Sequence, residues 1–173
     1  MQSNPKDIKT AVKRAEFTYP VMESFYTLQG EGKYQGHAAY FIRLGGCDVG
    51  CHWCDVKESW PVDTHPVKTV ESVVAEALEN PGRLVVITGG EPLLGWQRAY
   101  PELLENPNMQ ALAELTFETN GTQKLDSAFY EYMMMEWVME RGYETLTFSV
   151  SPKLSVSGEK WEEAICPDVV AEY

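Results

Sequence analysis

The chain has 173 residues, a net charge of −12, and contents of 44% hydrophobic and 12% aromatic residues. This composition indicates a globular protein and excludes a disordered chain. The acidic balance argues against a broad surface for nucleic acid or an anionic membrane, and no apolar run approaches the roughly 20 residues that span a bilayer. Three of the four cysteines are clustered, which is typical of a protein of a reducing cytoplasm and not of a secreted disulfide framework.

The first third of the chain predicts a leader, two strands and a glycine-rich loop. Residues 1–18 are polar and are expected to form a flexible leader, followed by a single domain over residues 19–173. Strands are predicted at Tyr19–Tyr26 and Ala38–Leu44, which are rich in aromatic and β-branched residues. The loop Leu28–Gly36 joins them, and the clustered cysteines directly follow the second strand.

The rest of the chain predicts alternating helices and strands. In chain order these are helix Thr69–Asn80, strand Leu84–Thr88, helix Gln97–Glu105, strand Leu115–Thr119, helix Asp126–Glu140 and strand Leu146–Val150. The apolar side of the first helix comprises Val70, Val73, Val74, Ala77 and Leu78, and Pro81-Gly82 is expected to end it. The alternation predicts βαβ units and a parallel sheet, an α/β fold.

Two further segments carry expectations of their own. The run Met133–Met135 is expected in the helical core, where methionine fills gaps. The last residues, Asp168–Tyr173, predict the start of another strand, so we expect that a C-terminal part of the natural protein is absent from this sequence.

Unusual residues follow four of the predicted strands at their carboxyl ends, where parallel sheets collect ligands. They are the cysteine segment after Leu44, Gly89-Gly90-Glu91-Pro92 after Thr88, Asn120-Gly121-Thr122 after Thr119, and Ser151-Pro152-Lys153 after Val150. If the sheet is parallel, these four loops lie on one rim. The pattern therefore predicts a binding site there.

The spacing of Cys47, Cys51 and Cys54 is Cys-x3-Cys-x2-Cys, which lets three thiolates bind one compact metal centre from a single loop. A [4Fe–4S] cluster held this way keeps one iron open for chemistry. A structural zinc site is an alternative, with His52 or Cys166 as fourth ligand, although no second Cys-x2-Cys pair exists. A dithiol redox pair would leave Cys47 without a role.

Other residues at this rim have both plain and functional interpretations. Gly89-Gly90 forms either a simple turn or a place where the backbone approaches a ligand. Glu91 beside it has the charge to bind an amine, and Lys153 is either a solvated lysine or a carboxylate partner. Arg43 either faces outward or binds a carboxylate with its planar fork.

These motifs together resemble the radical S-adenosylmethionine (SAM) superfamily, whose members carry Cys-x3-Cys-x2-Cys after one barrel strand and a GGEP-like motif after the next. Within it, the chain is similar to the 7-carboxy-7-deazaguanine synthase family. The motifs that carry this similarity are LQGEG (Leu28–Gly32), TGGEP (Thr88–Pro92), ETNGT (Glu118–Thr122) and SPK (Ser151–Lys153).

The resemblance implies a partial, compact (β/α) barrel, usually a homodimer, that carries a [4Fe–4S] cluster. The reduced cluster would split SAM into methionine and a 5′-deoxyadenosyl radical. That radical would take hydrogen from 6-carboxy-5,6,7,8-tetrahydropterin, which contracts to 7-carboxy-7-deazaguanine with loss of ammonia, a step towards queuosine and other deazapurines. No protein residue is expected to react, and a flavodoxin-like or other protein would supply the electron.

The resemblance also assigns residues by position. The cluster ligands would be Cys47, Cys51 and Cys54. The substrate site would comprise Leu28, Gln29, Gly30, Glu31, Arg43 and Thr88. The SAM site would comprise Trp53, Cys54, Asp55, Gly89, Gly90, Glu91, Glu118, Asn120, Ser151, Pro152 and Lys153.

One position departs from the family. Threonine often stands two residues after the third cysteine and binds magnesium there, whereas this chain has Val56, so a magnesium requirement is doubtful. Two other functions remain open on the sequence: a radical SAM activase that makes a glycyl radical on a partner protein, and a non-catalytic zinc-binding interaction module.

Overall fold

A computed structural model of the protein describes residues 18–79, 84–110 and 114–173. Most of the predicted leader, residues 1–17, and the predicted helix stop at Pro81-Gly82 lie outside these ranges. Thr18, assigned to the leader by the sequence, is already part of the first strand.

The described residues form a six-stranded sheet with helices between its later strands. The strands are β1 (Thr18–Leu28), β2 (Ala38–Leu44), β3 (Val67–Thr69), β4 (Leu84–Gly89), β5 (Glu114–Thr119) and β6 (Leu146–Val150). The helices are α1 (Val70–Leu78), α2 (Tyr100–Glu105), α3 (Pro107–Gln110), α4 (Ser127–Tyr132), α5 (Val138–Arg141), α6 (Trp161–Ala164) and α7 (Pro167–Val170). A π-helical turn, Met133–Trp137, joins α4 to α5.

The strand order is β3-β1-β2-β4-β5-β6, and the sheet does not close on itself. Strands β2, β4, β5 and β6 are parallel, as the alternating pattern predicted. The prediction was wrong for β1, which is antiparallel to both β2 and β3. The connection between β1 and β2 is a short loop, and parallel neighbours need a much longer crossover. The arrangement confirms an α/β fold of the partial-barrel type.

The two faces of the sheet bury different cores. Ile42, Ile87 and Phe117 lie in the larger core, which the helices cover. Phe41 and Val86 lie in a smaller core on the opposite face, together with Tyr34 from the loop after β1. We call this second face the loop-covered face. Because side chains alternate along a strand, residues two positions beyond Phe41 and Val86 return to it near the carboxyl ends.

The predicted helices are present, with local corrections. Thr69 caps α1 by accepting a hydrogen bond from the Ser72 N–H at 3.3 Å. Leu78, predicted on the apolar side of this helix, is 45% exposed. The core prediction for the methionine run is confirmed for Met133 and wrong for Met135, which is 65% exposed because a helix turns a three-residue run past its buried side.

The prediction of a strand over Asp168–Tyr173 was wrong. The segment contains the short helix α7, which Pro167 opens. Proline fits the first turn of a helix because its fixed φ suits that turn and its missing N–H would have no intrahelical partner there. In the part of the chain described by the structure, no helix combines the length and apolar character needed to cross a bilayer.

Candidate active site

The loops that follow β2, β4, β5 and β6 meet around one pocket of about 140 Å³. The residues lining it are Arg43, Cys47, Val49, Cys51, Trp53, Cys54, Asp55, Val56, Ser59, Trp60, Gly89, Gly90, Asn120 and Lys153. Each of the four loops expected on one rim contributes a lining residue. The parallel register of the strands explains this, because it brings their carboxyl ends to the same edge.

The three clustered cysteines all line this pocket. Cys51 is buried, whereas Cys47 and Cys54 are half-buried. Burial raises the pKa of the Cys47 thiol, and nearby Asp48 adds to the effect; burial also raises the pKa of the Cys51 thiol. A bound metal would offset this effect, because a metal ion deprotonates its own thiol ligands.

The residues considered as a fourth zinc ligand are not part of this pocket. Among residues 18–79, 84–110 and 114–173, no three His, Cys, Asp or Glu side chains converge as ligands of one metal ion. The proposed fourth zinc ligands are also elsewhere: His52 Nδ1 donates to the Ser157 carbonyl at 2.9 Å, and Cys166 does not line the pocket.

The glycine pair after β4 allows two loops to touch. A β-carbon on Gly90 would lie 2.2 Å from the Gly46 carbonyl oxygen and 2.8 Å from the Cys47 Cβ. One on Gly89 would lie 2.3 Å from the Leu44 carbonyl oxygen. Both approaches are closer than real β-carbons allow, so a larger residue would push away the end of β2 at Gly89 and the cysteine loop at Gly90. The glycines therefore hold the cysteine loop against the end of β4.

Glu91 is fully buried and does not line the pocket. Its Oε1 accepts from the Leu93 N–H at 2.9 Å and the Thr119 hydroxyl at 2.7 Å, and its Oε2 accepts from the Asn120 N–H at 2.7 Å. Burial, with a contribution from the negative charge of Asp48, raises the pKa of this carboxyl to about 7. Both oxygens are thus engaged within the protein, and the side chain joins the ends of β4 and β5.

Asp48, between the first two cysteines, binds the segment that follows β5. Its Oδ1 accepts from Asn120 Nδ2 at 2.9 Å. Its Oδ2 accepts from the Thr122 hydroxyl and from Gln123 Nε2, both at 2.5 Å. The cysteine loop is therefore fastened to the ends of two neighbouring strands, by glycine contacts at β4 and by a carboxylate at β5.

The loop after β6 completes the rim. The Ser151 N–H donates to the Thr119 carbonyl at 2.9 Å, which ties this loop to the end of β5. The Lys153 ammonium donates to Ser151 Oγ at 2.9 Å and lies 5.7 Å from the centre of the Trp53 ring. Trp53 and Asp55 line the pocket and are exposed, whereas Ser151 and Pro152 are exposed outside its lining.

A polar row crosses the loop-covered face beside the pocket. Arg43 pairs directly with Thr88 in the β2–β4 ladder. Ile87 pairs with Phe117, so the next residues, Thr88 and Glu118, share the opposite face. Thr88 is buried and Glu118 half-buried. Arginine, hydroxyl and carboxylate thus lie side by side on three neighbouring strands.

The glycine-rich loop Leu28–Gly36 contacts this polar row through Gln29. Gln29 is buried, and its Nε2 donates to Glu118 Oε1 at 2.9 Å while its Oε1 accepts from the Glu31 N–H at 3.1 Å. Leu28, Gly30 and Glu31 are exposed. Of the predicted substrate residues, the structure brings Arg43, Thr88 and Gln29 to the row, and only Arg43 also lines the pocket.

Several residues of this site were missed by the sequence reasoning. Val49, Ser59 and Trp60 line the pocket, and Asp48 fastens the cysteine loop. Asp48 carried a detectable signal, because a charged residue inside a metal-binding loop needs a partner. Nothing in the sequence singled out Val49, Ser59 or Trp60.

This sheet, with a three-cysteine loop and a glycine pair on the carboxyl rim, defines a metal-dependent enzyme of the radical SAM class. A family model described as "Radical SAM superfamily" matches residues 41–148, and the chain belongs to that superfamily. Within it, the chain is 46% identical over 124 residues to a 7-carboxy-7-deazaguanine synthase of Flavobacterium psychrophilum, covering 72% of this chain and 56% of that relative.

Two further comparisons, with a curated relative and with a solved structure, point to the same family. The synthase of the same name from Escherichia coli K12 is 33% identical over 160 residues, covering 81% of this chain and 63% of the relative. The crystal structure of QueE from Escherichia coli superposes with a TM-score of 0.64 at 27% identity, covering 99% of this chain and 72% of that one. The chain therefore spans between half and two thirds of the length of these curated relatives.

Proposed function

We propose that this chain belongs to a radical SAM carbon–nitrogen lyase that converts 6-carboxy-5,6,7,8-tetrahydropterin to 7-carboxy-7-deazaguanine, a step of deazapurine and queuosine biosynthesis. The observation that carries the proposal is the polar row of Arg43, Thr88 and Glu118 beside the three-cysteine pocket. A carboxylate-bearing heterocycle on this row would meet one fixed cation and two hydrogen-bonding groups. Relatives named 7-carboxy-7-deazaguanine synthase support the same product.

Cys47, Cys51 and Cys54 would hold the [4Fe–4S] cluster, because all three thiols line one pocket and all three are free of disulfides. When bound, the cluster and SAM supply a carbon-centred radical for hydrogen abstraction. The protein supplies placement: Trp53, Asp55, Gly90, Asn120 and Lys153 form the walls that SAM would contact. Placing the reactants is the part of radical catalysis that a protein can contribute.

Arg43 would bind the substrate carboxylate. It is half-buried and lines the pocket, so its charge is partly shielded from water and faces the space where the ligand enters. Thr88 would hydrogen-bond the pterin from the neighbouring strand. The loop residues Leu28 to Glu31 would cover the ring, with Gln29 held in place by its bond to Glu118.

Partners follow from the same proposal. The chain would act in a reducing compartment, the cytoplasm, as a homodimer that receives one electron at a time from a flavodoxin-like or other reductant. The substrate is a small molecule, and the acidic net charge disfavours nucleic acid. Because Val56 has no side-chain oxygen, the proposed enzyme would depend weakly on magnesium or not at all.

The test is an anaerobic incubation of the reconstituted protein with SAM, a reductant and the carboxypterin. Formation of 7-carboxy-7-deazaguanine with release of ammonia is the expected result. SAM cleavage without this product, together with a glycyl radical in a partner protein, would identify an activase. Zinc near one per chain, in place of iron and sulfide near four, would identify the interaction module.

A further inference from the structure

Asp48 and Asn120 form a contact between two loops of the site. Asn120 is buried and lines the pocket. Its Nδ2 donates to Asp48 Oδ1 at 2.9 Å, and its Oδ1 accepts from the Thr122 N–H at 2.9 Å. Both ends of the amide are therefore engaged, and only one rotation of the group satisfies both bonds.

The second carboxylate oxygen of Asp48 is also engaged, and this fixes the orientation of the side chain. Asp48 Oδ2 accepts from the Thr122 hydroxyl and from Gln123 Nε2, both at 2.5 Å. Three donors from one segment thus converge on a single half-buried carboxylate. The main chain of Asn120 is held from the other side, where its N–H donates to Glu91 Oε2 at 2.7 Å.

We propose that Asp48 is a positioning residue of the SAM site that acts through Asn120. It sits between two cluster cysteines, so it fixes the distance and orientation between the cysteine loop and the Asn120 wall of the pocket. Cys47 and Asn120 both line the pocket in which a cluster and SAM would lie. The inference rests on the SAM-binding part of the proposed function and is independent of which substrate the enzyme takes.

Asn120 donates and Asp48 accepts in this pair, so exchanging the amide and the carboxylate between the two positions tests the contact. In Asp48→Asn, the new amide must turn its oxygen to Thr122 and Gln123, so its NH2 group faces the NH2 group of Asn120. In Asn120→Asp, two carboxylates face each other. In the double variant, the amide at position 48 would donate to the carboxylate at position 120, and every other bond of the pair would keep its donor and acceptor.

The experiment measures SAM affinity and SAM cleavage anaerobically in the cluster-loaded protein, the two single variants and the double variant. Each single variant should weaken SAM binding about 10-fold, within the coupling seen for residues of one hydrogen-bond network. The double variant should recover most of that loss. Asp63→Asn, an exposed carboxylate away from the pocket, serves as the control and should bind SAM normally.

Cluster absorbance and iron content distinguish a variant in which Asn120 is misplaced from a variant that has lost its cluster. If a single variant loses its cluster, its return in the double variant supports the proposal in the same way. Additive losses in the double variant, or single variants that bind SAM like the unmodified protein, overturn it. Failure of the unmodified protein to bind SAM would instead refute the proposed function.

Discussion

Arg43 and Glu23 form an ion pair across the β1–β2 ladder, in which Arg43 Nε donates to Glu23 Oε1 at 2.8 Å. The strand pairing is irregular between Val21 and Glu23, and such bulges re-aim side chains next to sites. Because Glu23 engages Nε, the two terminal nitrogens of the guanidinium, which have no hydrogen-bond partner among the described residues, remain for a ligand. Two terminal nitrogens of an arginine can together bind both oxygens of a carboxylate.

Arg43→Lys should therefore weaken binding of the carboxypterin strongly while SAM binding stays nearly unchanged. Lysine keeps the charge but has one nitrogen, so it cannot serve Glu23 and both carboxylate oxygens together. Complete removal of the group in Arg43→Ala should cost roughly 2–5 kcal/mol of substrate binding, the range for breaking a charge pair that the bound substrate buries. Equilibrium binding of each ligand, measured separately, checks this.

Arg98→Lys is the matched control, because Arg98 is 67% exposed and pairs with Asp126 outside the pocket. It should bind both ligands normally. If Arg43→Lys weakens SAM and pterin binding equally, or weakens neither, Arg43 does not belong to the substrate site.

The three pocket cysteines should each be indispensable for SAM cleavage. Replacing Cys47, Cys51 or Cys54 with alanine removes one thiolate from the three that face the pocket. Cys166→Ala should keep both the cluster spectrum and the activity, because that thiol does not line the pocket. The measurements are iron content, cluster absorbance and release of methionine from SAM. A cluster lost in Cys166→Ala and kept in Cys47→Ala would contradict the assignment.

The positions of the site loops could be predicted from sequence because they depend on the order of strands and motifs along the chain. Each motif follows a strand, and four of those strands are parallel, so the cysteines, Gly90, Asn120 and Lys153 had to share a rim. Strand periodicity alone could not give the direction of β1, because direction depends on the length and path of a connection. The antiparallel pairing of β1 is what places Glu23 opposite Arg43.

Contacts between side chains were less predictable than positions. Glu91 was expected to face a ligand, yet the structure buries it completely among donors from β4 and β5 loops. Nothing in the GGEP motif distinguishes a carboxylate that faces a ligand from one that joins two loops. The distinction arises from how closely the glycines let the loops approach, which only the folded chain reveals.

Gly90→Ala should disrupt cluster assembly, whereas Gly50→Ala should be tolerated. A β-carbon at Gly90 would lie 2.2 Å from a backbone oxygen of the cysteine loop, which cannot move aside like a flexible side chain. One at Gly50, inside the same loop, would meet only Glu159 Oε1 at an ordinary 3.5 Å. Iron content after reconstitution, with circular dichroism to verify folding, distinguishes them. Similar iron content in both variants would show that the loop contact is dispensable.

Glu91 should make the free energy of unfolding fall as pH rises. Burial raises its pKa to about 7 in the folded chain from an ordinary 4.5. The folded state therefore holds the proton more tightly, and its advantage is complete below about pH 4.5 and is lost as pH rises through about 7. The span corresponds to about 3 kcal/mol at most.

The comparison is anaerobic denaturant unfolding of the unmodified protein and Glu91→Gln at pH 5 and pH 8. Because glutamine does not titrate, the stability of the unmodified protein relative to Glu91→Gln should decrease between these pH values. Glu136→Gln, at an exposed carboxylate, serves as the matched control for the loss of one carboxylate at the surface. If the stability of the unmodified protein relative to Glu91→Gln instead rises with pH, the hydrogen bonds lower the pKa of Glu91 more than burial raises it.

Val56 should make the enzyme depend weakly on magnesium or not at all. The residue lines the pocket where the family often has a threonine, but its side chain has no oxygen to offer. Its carbonyl oxygen already accepts from the Ser59 N–H at 3.0 Å and the Ser59 hydroxyl at 2.7 Å. Magnesium takes oxygen ligands in a strict octahedral geometry, so an engaged carbonyl is a poor substitute for a hydroxyl.

Asp55 is the neighbour best placed to compensate, since it lines the same pocket, whereas the Glu58 side chain does not. The measurement is turnover after magnesium is removed with a chelator and then restored. Little change is expected in the unmodified protein, and Val56→Thr should introduce or increase activation by the ion. Asp55→Asn in the Val56→Thr background tests whether that carboxylate supports the new site. Strong, saturable activation of the unmodified protein would show that Val56 does not decide the metal requirement.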